Sequence, residues 1–300
     1  MTAEAQPITL SGLLEASGIR PKDVLVFRHR PSEPSLNRIF ERIVSERLDL
    51  FDCYQATHGP LTQAALEKAA YLASFIRHRA GSALFVGLYE VASRRLLTVN
   101  ECLARPAHKE LMSLGMSGFK ATDTRDIIAE FELRRTDWHA DWRERLIISW
   151  PPPERSWYRW ADPARNTFEI KAIAEESVLT PAVPAWDRLI LDWKELGLLP
   201  AAWRAALSQW RGIYLIIDQS DGKQYVGSAY GQENILQRWI GYARTGHGGN
   251  KLLRARDPEN FRFSILQRVS PDLDDASVVA IEGTWKERLN SRAPSGLNDN

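Results

Sequence analysis

The run Gly212-Ile213-Tyr214-Leu215-Ile216-Ile217, the turn Asp218-Gln219-Ser220-Asp221-Gly222 and the return Tyr225-Val226-Gly227 decide how this chain is read. Two β-rich segments flanking a Gly-containing turn spell a hairpin. It puts Tyr214 and Tyr225 on separate strands, each beside small or apolar neighbours. Downstream, Asn234 to Arg244 has helical spacing and carries Arg238 and Tyr242 four residues apart, hence on one face. A later helix carries Val278, Ile281, Trp285 and Leu289 on one apolar stripe, with Glu282 at its border. A carboxylate in that place costs free energy unless a cation or a donor compensates it. The chain ends in Gly296-Leu297-Asn298, followed by two more residues.

Taken as chemistry, this set suits phosphodiester hydrolysis, which needs an activated water, charge neutralisation at the non-bridging oxygens and help for the leaving alkoxide. Arg238 offers a permanently charged fork matched to phosphate oxygens. Glu282, a single carboxylate without a cysteine or histidine cluster, favours one Mg²⁺ or Mn²⁺ that keeps most of its waters. Asn298 can both donate and accept and is expected to tie the neighbourhood of Glu282 to the terminal loop. The plainer alternatives are strand packing for Tyr214 and Tyr225, a surface ion pair for Arg238 and Glu282, and a turn for Asn298.

Gly212-Ile213-Tyr214, Tyr225-Val226-Gly227, Arg238, Glu282 and Asn298, in that order, resemble the GIY-YIG nuclease superfamily. The likeness covers residues 211–300, with Val226 in place of the usual isoleucine, a swap that keeps a β-branched side chain. It implies a small α/β domain that cuts DNA with one divalent metal. It also implies catalytic positions at Tyr214, Tyr225, Arg238, Tyr242, Glu282 and Asn298, with Glu282 as the metal ligand and Tyr214 as general base. Tyr242 stands where some members carry histidine and others, such as the repair incision nuclease, carry tyrosine. A free phenol titrates near 10 and is a poor base at neutrality, so either Tyr214 itself or a water activated by the cation takes the proton.

Thr245-Gly246-His247-Gly248-Gly249-Asn250-Lys251, followed by Arg254 and Arg256, reads as a flexible turn offering backbone donors and charge to DNA phosphates. His247, Lys251, Arg254 and Arg256 are the expected DNA contacts. His247 has no partners at zinc-ligand spacing. Overall charge is nearly balanced, 39 Lys plus Arg against 38 Asp plus Glu, so phosphate binding rests on local patches and is salt-sensitive.

The 300 residues, 44% of them hydrophobic, allow two domains with real cores. No apolar run approaches the roughly 20 residues that span a bilayer, and Met1 to Leu10 lacks the basic-then-apolar order of a secretory signal; a cytoplasmic protein is expected. Cys53 and Cys102, without companion histidines in sequence, read as reduced structural thiols.

The expected organisation is a DNA- or modified-base-recognition domain over 1–180, a helical bridge over 181–210 and the nuclease domain over 211–300. The main boundary is set near Pro181. The front region is α+β. Leu10 to Ala16 is a short helix, Asp23 to Phe27 a strand, and Ser35 caps a helix bearing Leu36, Ile39, Phe40 and Ile43. Short runs from Tyr71 to Trp150 suggest a strongly curved sheet or small barrel. Nine of the 11 tryptophans fall between Trp138 and Trp210, and Arg155-Ser156-Trp157-Tyr158-Arg159-Trp160 interleaves guanidinium and aromatic groups. Trp157, Tyr158 and Trp160 are therefore candidates for stacking a base, the alternative being core packing.

Over 181–210, Trp186, Leu189, Ile190, Trp193 and Leu196 have helical spacing, and Pro200 opens a second helix through Trp203, Leu207 and Trp210. The Trp-rich front region faintly resembles PUA-like and EVE-type domains that accept a modified or flipped base, which implies a modification-dependent restriction enzyme. A structure-selective repair nuclease and a non-catalytic nucleic-acid-binding module stand as alternatives. A single centre nicks one strand at a time, so a double-strand cut needs a homodimer or sequential nicks.

Overall fold

A computed structural model describes residues 7–119, 124–179 and 182–299. The chain divides into two units, Met1–Thr180 and Pro181–Asn300. Pro181 itself lies outside the described residues.

In the first unit the β-branched and aromatic runs become β1 (Val24–His29), β2 (Tyr71–Arg77), β3 (Ser82–Thr98), β4 (Ile127–Arg135), β5 (Leu146–Ser149), β6 (Tyr158–Trp160) and β7 (Ile170–Ile173). Their order is β6-β1-β2-β3-β5-β7, with β4 also paired to β3. Only β1 and β2 run parallel among these pairs. A parallel pair needs a long crossover, and α2 (Pro34–Glu46), α3 (Leu48–Tyr54) and α4 (Pro60–Leu66) supply it, α1 (Leu10–Ala16) having preceded β1. After β3 come α5 (Val99–Leu103) and α6 (Pro106–Ser113). Bulges at Ser74/Phe75 and Val91/Ser93 bend the long β3. The described strands thus form a curled sheet open at β6 and β7, not a closed barrel.

Two local expectations change. The helix after β1 starts one residue before Ser35, at Pro34, and Ser35 lies inside it; proline's fixed φ suits the first turn. The two cysteines do have a histidine between them: His108 Nδ1 lies 3.1 Å from Cys53 Sγ and its Nε2 3.3 Å from Cys102 Sγ. The three residues are brought together by the fold, not by sequence spacing. Burial pushes the Cys53 thiol up to about 11, which keeps it a thiol at neutral pH. Among the described residues no group of three or more His, Cys, Asp or Glu is arranged to hold a metal.

The second unit carries β8 (Ile190–Asp192), α7 (Trp193–Leu196), α8 (Ala201–Gln209), β9 (Gly212–Asp218), β10 (Gln224–Ala229), α9 (Asn234–Thr245), β11 (Phe261–Arg268) and α10 (Asp275–Arg288). The sheet order is β10-β9-β11-β8, antiparallel throughout. The period-2 alternation of a strand sends Tyr214 and Ile216 to one face, with Trp203, Leu207, Trp239, Tyr242 and Phe263. Ile213 and Leu215 point to the other, with Val226 and Val278.

The stretch expected as a helical bridge is part of this unit. Trp186–Arg188 is a 3₁₀ turn and Ile190–Asp192 pairs with β11 as the outer strand, where one helix from Trp186 to Leu196 was expected. Leu189 and Leu191 are buried, and Trp186 and Trp193 pack on the same core. A strand this short, with apolar residues at i, i+3, i+4 and i+7, carries a helical pattern in sequence, and tertiary pairing overrides it. The second helix is found at Ala201–Gln209, with Pro200 at its N-cap and Trp210 extended just past its end.

No helix among the described residues is long and apolar enough to cross a membrane.

Candidate active site

The hairpin registers Gly227 opposite Tyr214 and Tyr225 opposite Ile216, so both tyrosines share the α9 face of the sheet. Gly212 opens β9 where its backbone passes the β11 bulge; a Cβ there would sit 2.1 Å from the Gln267 carbonyl oxygen. Gly227 leaves room for the Tyr214 ring, since a Cβ would meet Cζ and Oη at 2.4 Å. Both motif glycines are thus dictated by close approach.

Tyr214, Tyr225 and Tyr242 form a triangle of rings with centroids 6.1–6.4 Å apart. The Tyr214 and Tyr242 hydroxyls hydrogen-bond at 3.1 Å. Burial holds the Tyr214 phenol well above its ordinary value of 10. Tyr225 and Glu282 push it further up, while the Tyr242 hydrogen bond and the Arg238 guanidinium pull it down. Tyr242 is raised too, again by burial first and then by Tyr214 and Tyr225. Arg238 lies on the solvent-exposed side of α9, one turn before Tyr242. Its charge and that of Glu282 act in opposite senses on the buried Tyr214 hydroxyl.

Glu282 reaches the site from α10 on the other face, beside the edge strand β10. One of its oxygens accepts a short hydrogen bond from the Ser228 hydroxyl, and Lys286 Nζ lies 2.8 Å from the other. Its side chain is only 15% exposed. A lone carboxylate of hard oxygens fits a divalent cation that takes one or two protein carboxylates and keeps its waters. Such an ion has to share the carboxylate with, or displace, the Lys286 ammonium.

Asn298 is buried and grips the edge of β10. Its Oδ1 accepts from Val226 N (2.9 Å) and Ser291 Oγ (2.8 Å), and its Nδ2 donates to Val226 O (2.8 Å). Leu297 N donates to Gln224 O at 2.8 Å. The terminal loop thus stands in for a neighbouring strand along an otherwise open edge. Asn298 supports the strand that bears Tyr225, rather than Glu282 directly.

The loop after α9 differs from its expectation. Thr245 Oγ1 accepts from Gly248 N (2.8 Å) and His247 N, His247 Nδ1 accepts from Gly249 N (2.9 Å), and Asn250 N donates to His247 O. These backbone donors are spent inside the turn, leaving no nest of N–H groups for phosphate. Lys251 and Arg254 are exposed, and Lys251 Nζ is 4.0 Å from Asp299. Arg256 is not a free cation. It bridges Asp218 (2.9 Å) and Asp221 (2.7 Å), pinning the hairpin turn.

In the first unit the Trp157 and Tyr158 rings lie 5.3 Å apart, but of Trp157, Tyr158 and Trp160 only Trp157 lines a cleft. Tyr158 and Trp160 pair with Phe27 and Leu25 of β1, whereas Trp157 lines a cleft with His29 and His58. Sequence reading passed over Ser228 and Lys286. The usable signal for Lys286 was the Glu282-to-Lys286 spacing of four on a helix, and for Ser228 its place just after Gly227, on the alternate face.

The second unit is an antiparallel sheet with helices on both faces, its three clustered tyrosines on the α9 face and Glu282 on the α10 face. No family model and no curated protein matches the chain. Among solved structures, the catalytic domain of the homing endonuclease I-TevI is 28% identical over 30% of this chain and 98% of that one, with a TM-score of 0.25. A mutant form of the catalytic domain of the intron endonuclease I-TevI is 28% identical over 31% of this chain and 95% of that one, at the same TM-score.

Proposed function

We propose that the second unit is a metal-dependent endonuclease that hydrolyses DNA phosphodiester bonds, with the first unit selecting the substrate as a reader of modified DNA in a restriction-type enzyme. The observation that carries the reading is the buried Tyr214 hydroxyl, hydrogen-bonded to Tyr242 on the helix that bears Arg238 one turn earlier. The ordered set of residues resembling the GIY-YIG nucleases supports it.

Glu282 would hold Mg²⁺ or Mn²⁺, which when bound supplies positive charge to the phosphate and acidifies water. Arg238, exposed and permanently charged, binds non-bridging oxygens and neutralises charge as it develops. At neutral pH the buried Tyr214 hydroxyl is protonated, and it is a weaker acid than a free phenol, so the basic phenolate is scarcer than in solution. Its part is therefore to orient the attacking water and to take that water's proton as it hands its own along the hydrogen bond to Tyr242, whose proton passes to solvent; Arg238 offsets the negative charge left on the water oxygen and growing on the phosphate. Tyr225, its ring 6.3–6.4 Å from those of Tyr242 and Tyr214, completes the aromatic wall beside them. Lys251 and Arg254 supply exposed charge for DNA phosphates, and Arg256 stabilises the turn instead.

A second reading, a module that holds nucleic acid without cutting it, is favoured by the Lys286 ammonium on the one carboxylate of the site. Incubation with Mg²⁺ or Mn²⁺ and plain, methylated or hydroxymethylated, and branched DNA separates the readings. Cutting that is lost in Glu282→Gln supports the nuclease; preference for modified over branched DNA supports the restriction role over a repair role. Binding of all three with no cutting of any selects the second reading.

A further inference from the structure

One end of the β1–β2 pair in the first unit opens into a cleft of about 550 Å³, within the size range of small-molecule sites. Its floor is a contiguous run of rings. The Trp157 indole lies 5.7 Å from His58 and 6.2 Å from His29, and His29 lies 5.6 Å from Tyr54, centroid to centroid. Trp157 is 37% exposed, so an indole surface is open to solvent. The rim is cationic: Arg30, Arg77 and Arg155 line it, while Arg28, buried beneath, pairs with Glu154 at 3.1 Å.

Two buried polar atoms in this wall lack hydrogen-bond partners, His29 Nε2 and Arg28 Nε. Native structures rarely leave such atoms unmatched, so each calls for a partner that the chain itself does not supply. His58 Nε2 bonds the Gln55 carbonyl at 2.8 Å, so that nitrogen carries the proton. Burial holds both imidazoles neutral at neutral pH, His29 down to about 3 and His58 down to about 4. His58 has spent its donor on that carbonyl and keeps Nδ1 as an acceptor, while His29 Nε2 is unengaged; uncharged groups of this kind suit the edge of a base. A purely apolar ligand leaves the rim arginines unused, and a bare anion leaves the exposed indole unused. An aromatic group joined to a phosphate uses both.

We propose that this cleft holds a single nucleotide, its base against Trp157 and the histidine edge, its phosphate among Arg30, Arg77 and Arg155. This deepens, and rests on, the reader role assigned to the first unit. The nucleotide comes either from a DNA strand, as an extrahelical residue, or free in solution. Taking a base out of the stack is cheapest where it is unpaired.

The test measures equilibrium binding of the full chain in EDTA, so that cutting plays no part. The probes are a labelled perfect duplex, the same duplex with one unpaired base, and a mononucleotide monophosphate as competitor. The unpaired base is expected to raise affinity about tenfold, in line with stacking of one base on an aromatic side chain. Trp157→Ala, at an exposed position, should erase that preference, and Arg30→Gln with Arg155→Gln should weaken binding and flatten its salt dependence. Lys251→Ala, in the other unit, should weaken both duplexes equally and keep the preference.

Competition by the mononucleotide, lost in Trp157→Ala, with no preference between duplexes assigns the cleft to a free nucleotide. Wild-type behaviour of Trp157→Ala and of the arginine variant toward every probe overturns the proposal, as does failure of the wild-type chain to bind any of them. A chain that shows the Trp157-dependent binding but never cuts DNA with Mg²⁺ keeps this inference and loses the nuclease; one that cuts while Trp157→Ala is silent does the reverse.

Discussion

Replacing Gly227 by alanine asks whether the Tyr214 hydroxyl has to sit where it does. The new methyl carbon would lie 2.4 Å from both Cζ and Oη of Tyr214, against ordinary contacts that begin at 3.4 Å, so the ring has to retreat by 3.4 − 2.4, about 1 Å. The ring is nearly fully buried and touches Tyr225 and Tyr242, which limits where it can go. Overpacking of this kind costs about 1–3 kcal/mol. A misplacement of about 1 Å at a reacting group costs on the order of 100-fold in rate. Gly227→Ala should therefore lower kcat/KM on DNA by about 100-fold and urea stability of the second unit by about 1–3 kcal/mol. Pairing it with Tyr214→Ala removes the clash. In that double-mutant cycle most of the stability cost of the glycine change should disappear while activity stays lost. Gly227→Ala with wild-type turnover and wild-type stability would refute the reasoning, because the ring would then have had room to spare.

Other outcomes follow from the same geometry. Asn298→Ala strips partners from the buried Val226 N–H and C=O and should cost about 2–4 kcal/mol, read from urea unfolding of the second unit. His29 and His58 have folded-state values of about 3 and about 4 against 6.5 unfolded. Below 6.5 the unfolded chain binds the extra protons, so stability present above that pH is lost as pH falls toward 4. The slope reaches about 1.4 kcal/mol per pH unit for each histidine, and His58→Gln should flatten it in pH-dependent melting. Lys251→Ala should reduce the slope of log affinity against log salt by about one. Arg256→Ala should leave that slope alone and cost about 1–3 kcal/mol in stability, by unpairing the buried Asp218.

The hairpin, α9 and α10 were legible because local signals agreed there: a Gly-bearing turn between apolar runs, and apolar stripes at helical spacing. Spacing set Arg238 and Tyr242 on one helix face, but the hydrogen bond of Tyr242 to Tyr214 is made by the fold. Other features depended on contacts between residues far apart in the chain. Ile190–Asp192 is too short for its alternation to outvote a helical pattern, and only β11 makes it a strand. Arg256 looked like a free cation because nothing local marks Asp218 and Asp221 as its partners, 38 and 35 residues away. Trp157, Tyr158 and Trp160 form one aromatic run in sequence, yet strand alternation and the bend before β6 give only Trp157 to the cleft. The histidines that complete that cleft come from β1 and from the turn after α3. The ring of His108 between Cys53 and Cys102 is likewise a product of α3, α5 and α6 meeting.

The claim at the centre is that Arg238, Glu282 and the tyrosines act as one unit on one phosphate. Single-turnover cleavage of DNA in Mg²⁺ by the wild-type chain, Arg238→Ala, Glu282→Gln and the double variant tests it directly. Groups that act together are non-additive, so each single change should abolish most of the cutting and the double should be hardly slower than either. Cutting by the double variant at the wild-type rate, or single effects that simply multiply, would contradict the account.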